Sequence, residues 1–384
     1  MSKATPDGWQ NGLPAVSDGK DIMERRLRVS LFTVLLGMNG VLLSGCLALP
    51  GSIKNDVEGL RRQVQDLSIR LQAVESQPER IKGVIKQARA AVVYLWGTYT
   101  FVDSGGQPLR YVLNTEGKPI ADPKGIPKVD IIGTGSVAIS NYCGTAFLVD
   151  QEGGLLTNRH VAEPWWEDEK DAPLLKAGLK PVFLRLRAFF QEKPEGVPII
   201  VVRIHPEQDL AFLKTIGWRP QAAPLPLYTT AMVMEEGQPV LLVGFPTGLE
   251  AVLAKLDDSE YDAIQNESGL CTFETAERLS KDKKILPSTT GGFLWEVLPK
   301  SLVYDARTKE GGSGGPLLNY QGQVIGVNVA YLPGFSGGNY AIPIRFGLEL
   351  IEGKGIPAKG SNQENPTLSE WLDQGKVPIA SCSE

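Results

Sequence analysis

From about residue 88 the chain is written in short apolar runs cut by turn residues: AVVYLW, GTAFLV, GLLTN, VFLRLR, GVPIIVVRI and DLAFLK. After RPQAAPLPLY (219–228) a second set follows, with PVLLVGF, SLVYDA, GPLLN, QVIGVNVAYL and YAIPI. Runs this short, bounded by Gly, Pro, Asn and Asp, predict the strands of an all-β barrel or sandwich, not strands alternating with helices. The proline-rich passage divides them, so the simplest architecture is two β-barrels joined by a linker, at 88–228 and 229–352. A polar tail, 353–384, closes the chain.

Two segments depart from the strand pattern. Between Leu249 and Thr290, LEAVLAKLDDSEYDAIQNES and ETAERLSKDKK read as helical and highly charged. This insertion, 249–290, is either a solvated excursion or a lid over a cleft. The other departure is the N-terminus. Arg25, Arg26 and Arg28 precede VSLFTVLLGMNGVLLSGC, so residues 1–50 read as a tail and a signal or membrane-anchor helix. Leu43-Ser44-Gly45-Cys46 resembles a bacterial lipobox, which makes Cys46 a candidate for lipidation. A lipoprotein and an uncleaved anchor both remain open, and both put the rest of the chain outside the cytoplasm, in the cell envelope of a bacterium.

Residues 51–87 read as a short helical coiled-coil stalk. Ile53, Val57, Leu60, Val64, Leu67, Leu71 and Val74 alternate at spacings of four and three, the seam of about three heptads, and Pro78 is expected to end it.

A net charge of -5 argues against nucleic acid, which needs a concentrated positive surface. Cys46, Cys143, Cys271 and Cys382 lack metal-like spacing, so no metal and no cofactor is implied. Hydrophobic residues make up 42% of the 384, enough for a substantial core.

The stretch EGGSGGPLLN (310–319) surrounds Ser313 with glycines. By itself it is a tight turn or a nucleophile elbow. A serine hydroxyl needs a base and a group to orient that base. With only two histidines, His160 and His205, none follows Ser313, so the order Ser, Asp, His of α/β-hydrolases is excluded. The order His, Asp, Ser is available as His160, Asp209 and Ser313. His160 ends GLLTNRHVA, where a buried strand emerges. His205 precedes Pro206 and belongs to a turn.

CGTAFLV (143–149), LLTNRHV (155–161), DLAFLK (209–214), GFPTG (244–248), GGSGGPLLN (311–319) and GNYAIPI (338–344) together resemble the HtrA/Deg branch of trypsin-like serine proteases. The resemblance covers about residues 88–350. It implies a mainly β fold of two perpendicular six-stranded barrels and a membrane-anchored endopeptidase acting on proteins or peptides. On this resemblance His160 is the base, Asp209 orients it, Ser313 attacks, and the N–H groups of Gly311 and Ser313 form the oxyanion hole. Substrate would add as a strand along Asn328, Val329 and Ala330. The sequence departs from the family at Gly312, where asparagine is common, at Val161, where animal trypsins carry cysteine, and in leaving no room for a PDZ domain. The rival reading is a catalytically latent trypsin-like scaffold or binding lipoprotein. Self-association through residues 53–74 is checked by cross-linking the region after residue 50: trapped oligomers are the expected outcome, and monomer alone would end that proposal.

Overall fold

The computed structural model describes residues 51–123, 125–229, 234–267, 269–329, 338–358, 364–365 and 371–372. The anchor segment and Cys46 lie outside them. Among the described residues no helix is long and apolar enough to cross a membrane.

Helix α1 (Gly51–Ala91) does not stop at Pro78, contrary to the sequence expectation, but carries it inside. A proline there removes one main-chain hydrogen bond and costs about 3 kcal/mol. Packing offsets this locally, because Ile81, Val84 and Ile85 lie against the core and Ala88 and Ala91 are inside it. Farther up, Leu60, Val64 and Leu67 of the heptad seam are exposed.

The compact unit from Ser76 onward holds both sets of strands. In chain order the first set is β1 (Val92–Val102), β2 (Arg110–Tyr111), β3 (Val129–Asp130), β4 (Ser140–Leu148), β5 (Gly154–Thr157), β6 (Lys180–Phe190), β7 (Lys193–Ile204) and β8 (Ala211–Thr215). Short helices α2 (Arg159–Ala162) and α3 (Ala172–Lys176) lie between β5 and β6. Strands pair in the order β7-β6-β1-β4-β5-β8, and β7 pairs back onto β8, which closes six antiparallel strands. The second set is β9 (Pro239–Gly244), β10 (Ser288–Val297), β11 (Leu302–Tyr304), β12 (Pro316–Asn319), β13 (Val324–Val329) and β14 (Asn339–Pro343), a closed barrel in the order β10-β11-β14-β13-β12-β9. The fold is therefore mainly β, with two closed six-stranded barrels.

Between β9 and β10 the insertion forms α4 (Glu250–Leu253), α5 (Asp258–Glu267) and α6 (Phe273–Lys281). It is not wholly solvated. Ala276 and Leu279 are buried, Phe273 stacks near Phe189 at 5.7 Å, and Arg185 of β6 lies over Phe273 while pairing with Glu274 at 2.8 Å. Its apolar face thus covers the first barrel, and its charges face outward. Cys271, just ahead of α6, is disulfide-bonded, whereas Cys143 is free. After β14, α7 (Ile344–Ile351) crosses back to the first barrel. A Cβ on its Gly347 would come within 2.8 Å of Leu156, so glycine permits that approach. Strand β15 (Ile356–Pro357) then pairs with β7.

An arm at 103–139, unforeseen from the sequence, follows β1. Its three turns repeat one construction. Asp103, Asn114 and Asp122 each accept from the N–H four residues on through the side chain, and Gly106, Gly117 and Gly125 take the left-handed backbone each turn requires.

Leu156 is fully buried in β5, beside Phe147 and Phe212 across the ladder. Leu156→Ala is expected to lower the stability of the folded region by about 2–5 kcal/mol, read by urea denaturation; a loss below 1 kcal/mol, by about the same scale, would contradict its place in the core.

Candidate active site

Strand β5 ends at Thr157, and Asn158 begins the single turn α2 that carries His160. Asn158 is fully buried, and its side chain does not cap that helix. Instead its Nδ2 donates to the main-chain oxygen of Asp209 at 2.8 Å, tying the two segments together. Asp209 in turn accepts from the His160 main-chain N–H through Oδ1 at 2.9 Å, and its Oδ2 lies 2.6 Å from His160 Nδ1. An ionised carboxylate only accepts hydrogen bonds, so Nδ1 carries the proton and Nε2 is left as an acceptor. The imidazole is 37% exposed against 17% for the carboxylate, so the free nitrogen is the accessible end of the pair.

Ser313 is buried in the turn that precedes β12. That turn docks on the end of the first barrel. Thr145 of β4 donates its main-chain N–H to the Ser313 carbonyl at 3.0 Å and its hydroxyl to the Gly311 carbonyl at 2.7 Å. Thr157 donates its hydroxyl to the Thr145 carbonyl at 2.7 Å. Gly314, at φ +84, sits so close that a Cβ would fall 2.0 Å from Thr145 O and 2.2 Å from Thr157 Oγ1. Ser313 and Gly314 therefore adjoin Thr157, three residues before His160.

The glycine peptides are held through their carbonyls. Thr247 N–H donates to Glu310 O at 2.6 Å, while Asn328 Nδ2 at 2.8 Å and Gly315 N–H at 3.1 Å donate to Gly312 O. In a trans peptide the C=O and the following N–H point in opposite directions, and among the described residues no cis bond is present. The Gly311 N–H is thereby turned away from Thr247, and the Ser313 N–H away from Asn328. Gly311 needs its φ of +80, and a Cβ there would meet Phe245 O at 2.6 Å.

One expected substrate residue has a different place. Asn328 is fully buried; its N–H donates to Gly315 O at 2.8 Å and its carbonyl accepts from Gly314 N–H at 2.9 Å. Its side chain, bonded also to Tyr304 OH, supports the turn that carries Ser313. Asn328 thus braces this turn and does not offer a free strand edge. Val329 is partly exposed beside Tyr340, and Ala330 lies outside the described residues. Arg307 is exposed. Thr145, Asn158 and Thr247 were not picked out from the sequence, although each stands inside a quoted motif, CGTAFLV, LLTNRHV and GFPTG. Cys143, two residues before Thr145, is a half-buried thiol that desolvation pushes above the ordinary thiol range.

Thr145 Oγ1 also accepts from Phe245 N–H at 3.1 Å. Thr145→Val keeps the shape and strands both Gly311 O and Phe245 N–H, so urea denaturation should show a loss of about 1–3 kcal/mol; an unchanged midpoint would refute this bridge.

Residues 144–327 match the family described as trypsin-like peptidase domain. A probable periplasmic serine endoprotease, DegP-like, of Chlamydia pneumoniae is 28% identical over 213 residues, which is 54% of this chain and 33% of that protein. The chloroplastic Protease Do-like 5 of Arabidopsis thaliana is 29% identical, over 52% of this chain and 53% of its own length. The crystal structure of the serine endoprotease from Yersinia pestis aligns with 17% identity and a TM-score of 0.40, covering 71% of this chain and 65% of that one. The chain thus spans about a third to a half of the length of these curated relatives. Residues 144–327 are thus similar to a trypsin-like peptidase domain, and the relatives they resemble are described as serine proteases of the DegP, HhoA and Do-like kinds.

Proposed function

We propose that the chain is a serine endopeptidase that hydrolyses peptide bonds of protein substrates through an acyl-enzyme. The observation that carries this reading is the His160–Asp209 pair, held at 2.6 Å beside the turn that bears Ser313. His160 Nε2, the unprotonated nitrogen, takes the proton from Ser313 Oγ as that oxygen attacks the scissile carbonyl. Asp209 keeps the other ring nitrogen protonated and stabilises the imidazolium that forms. The tetrahedral oxyanion is received by the N–H groups of Gly311 and Ser313, each worth about 3 kcal/mol in comparable hydrolases. His160 then returns its proton to the leaving amine, and water repeats the sequence on the acyl-enzyme. Substrate pairs with the chain at Val329 and Ala330.

The same proposal places the enzyme outside the cytoplasm. Several relatives are described as periplasmic, and Arg25, Arg26 and Arg28 followed by the apolar residues 29–50 form the pattern of a signal or anchor, with Cys46 as the lipidation candidate. Residues 53–74, with Leu60, Val64 and Leu67 exposed, are offered as a self-association surface.

Incubation with a fluorophosphonate probe and with casein tests the chemistry. Wild type is expected to label and cleave, Ser313→Ala to do neither, and Asp209→Asn to turn over about 10³–10⁴-fold more slowly. Labelling that survives Ser313→Ala would remove this serine from its role, and a wild type inert to both reagents would favour the latent scaffold.

A further inference from the structure

The second histidine stands four residues ahead of Asp209 and takes no part in the proton transfers above. His205 is only 6% exposed. Its Nδ1 accepts two main-chain hydrogen bonds, from Glu207 N–H at 3.1 Å and Gln208 N–H at 2.9 Å. A ring nitrogen that receives two donors is unprotonated, so the proton sits on Nε2. That nitrogen faces Glu349 Oε2 of α7 at 3.6 Å, and the ring meets Phe346 of the same helix edge-on at 5.5 Å. The His205 main chain completes the turn, with its N–H donating to Leu210 O at 2.9 Å and Leu210 N–H donating to Gln208 O at 2.7 Å.

The residue inside this turn is Asp209. β7 ends at Ile204 and β8 begins at Ala211, so the loop between them contains only six residues, and three of its hydrogen bonds run to or from His205. Short side chains such as Asp and Asn commonly hold a turn by accepting from the N–H groups two and three residues on. Here an imidazole does that work, in one tautomer only, because a proton on Nδ1 would set three donors against one another.

We propose that His205 is a positioning residue for Asp209: fixed as its Nε2–H tautomer by the two N–H groups that donate to Nδ1, with the Glu349 carboxylate facing Nε2, it holds the 205–210 turn so that the Asp209 carboxylate meets His160. The inference rests on the proposed protease mechanism for its kinetic consequence, but its geometry is independent of turnover. It also assigns α7, from the second barrel, a part in aligning a pair that belongs to the first.

The test uses three variants of the full chain, with peptide turnover and the low-field proton resonance of His160 Nδ1–H as readouts. His205→Phe keeps a ring and loses the acceptor. It is expected to lower kcat roughly ten- to hundredfold, the scale on which small misplacements of catalytic groups act, with KM little changed and the resonance shifted or broadened. His205→Asn can accept from the same two N–H groups and should restore both readouts. If His205→Phe does not fold, Glu349→Leu carries the test, since Glu349 is 42% exposed and its loss spares the core. Without that carboxylate, kcat should fall and the resonance should move. The proposal is overturned if folded His205→Phe keeps the wild-type kcat and resonance, if His205→Asn fails alongside it, or if Glu349→Leu changes neither readout. A wild type that turns over no substrate, yet whose resonance responds to His205→Phe and recovers in His205→Asn, would sink the protease reading and uphold this one.

Discussion

Thr145 is where the two barrels are sewn together, and the site depends on that seam. Its N–H, its hydroxyl and its carbonyl are all committed. They reach Ser313 O, Gly311 O and Phe245 N–H in the second barrel, and Thr157 Oγ1 in the first. Most of these groups are withdrawn from water, where an unmet donor or acceptor costs about 1–3 kcal/mol, so the arrangement has little tolerance for sliding. A displacement of one barrel against the other would break several of these bonds together. The placing of Ser313, on one barrel, relative to Thr157 and the His160 turn, on the other, runs through this patch of hydrogen bonds.

Glycine follows from the same constraint. Gly314 exists because β4 and β5 occupy the space that a Cβ would need, and Gly311 because the 245–248 turn does. Gly312 has a further use. Thr308 Oγ1 and Lys309 O lie 2.4 and 2.9 Å from where its Cβ would stand, so the turn closes on itself there as well. The glycines around Ser313 therefore make a crowded turn, not a loose one. Flexibility in the unfolded chain is exchanged for close approach in the folded one.

Much of this was legible in the sequence, and the reasons for the exceptions are physical. Short apolar runs gave the barrels because strand burial leaves a pattern in every segment. His160 and Asp209 could be paired by inventory, since a chain with two histidines offers few choices. Asn328 was misread as a substrate edge. Main-chain pairing depends on which neighbour arrives at each side of a strand, and a single sequence does not state that. The continuation of α1 through Pro78 was hidden for a similar reason, because the local cost of proline was offset by Ile81, Val84 and Ala88 meeting a core assembled from residues far along the chain. The 103–139 arm was missed although its signal is present: DSGGQP, NTEGKP and DPKGIP repeat one [D/N]-x-x-G-x-P pattern, and the structure makes each the same turn.

The end of α1 bears on how the site is held. Val84 packs on Gly322, in the turn between β12 and β13, and the Arg89 carbonyl accepts from Gln191 at the turn between β6 and β7. One helix end therefore touches a turn of each barrel. β1 leaves that helix directly, and in its ladder with β4 Tyr94 stands opposite Thr145. Tyr94 is fully buried, and its ring meets Phe245 at 5.3 Å, on the residue whose N–H bonds Thr145 Oγ1. The segment entering the barrels is thus packed against both sides of the seam. α7, which follows the second barrel, meets His205 in the aspartate turn, so that turn and the serine turn each have a neighbouring element that crosses between barrels. Bracing of this kind suits the proposed proton transfer between groups on separate barrels, where small misplacements are costly.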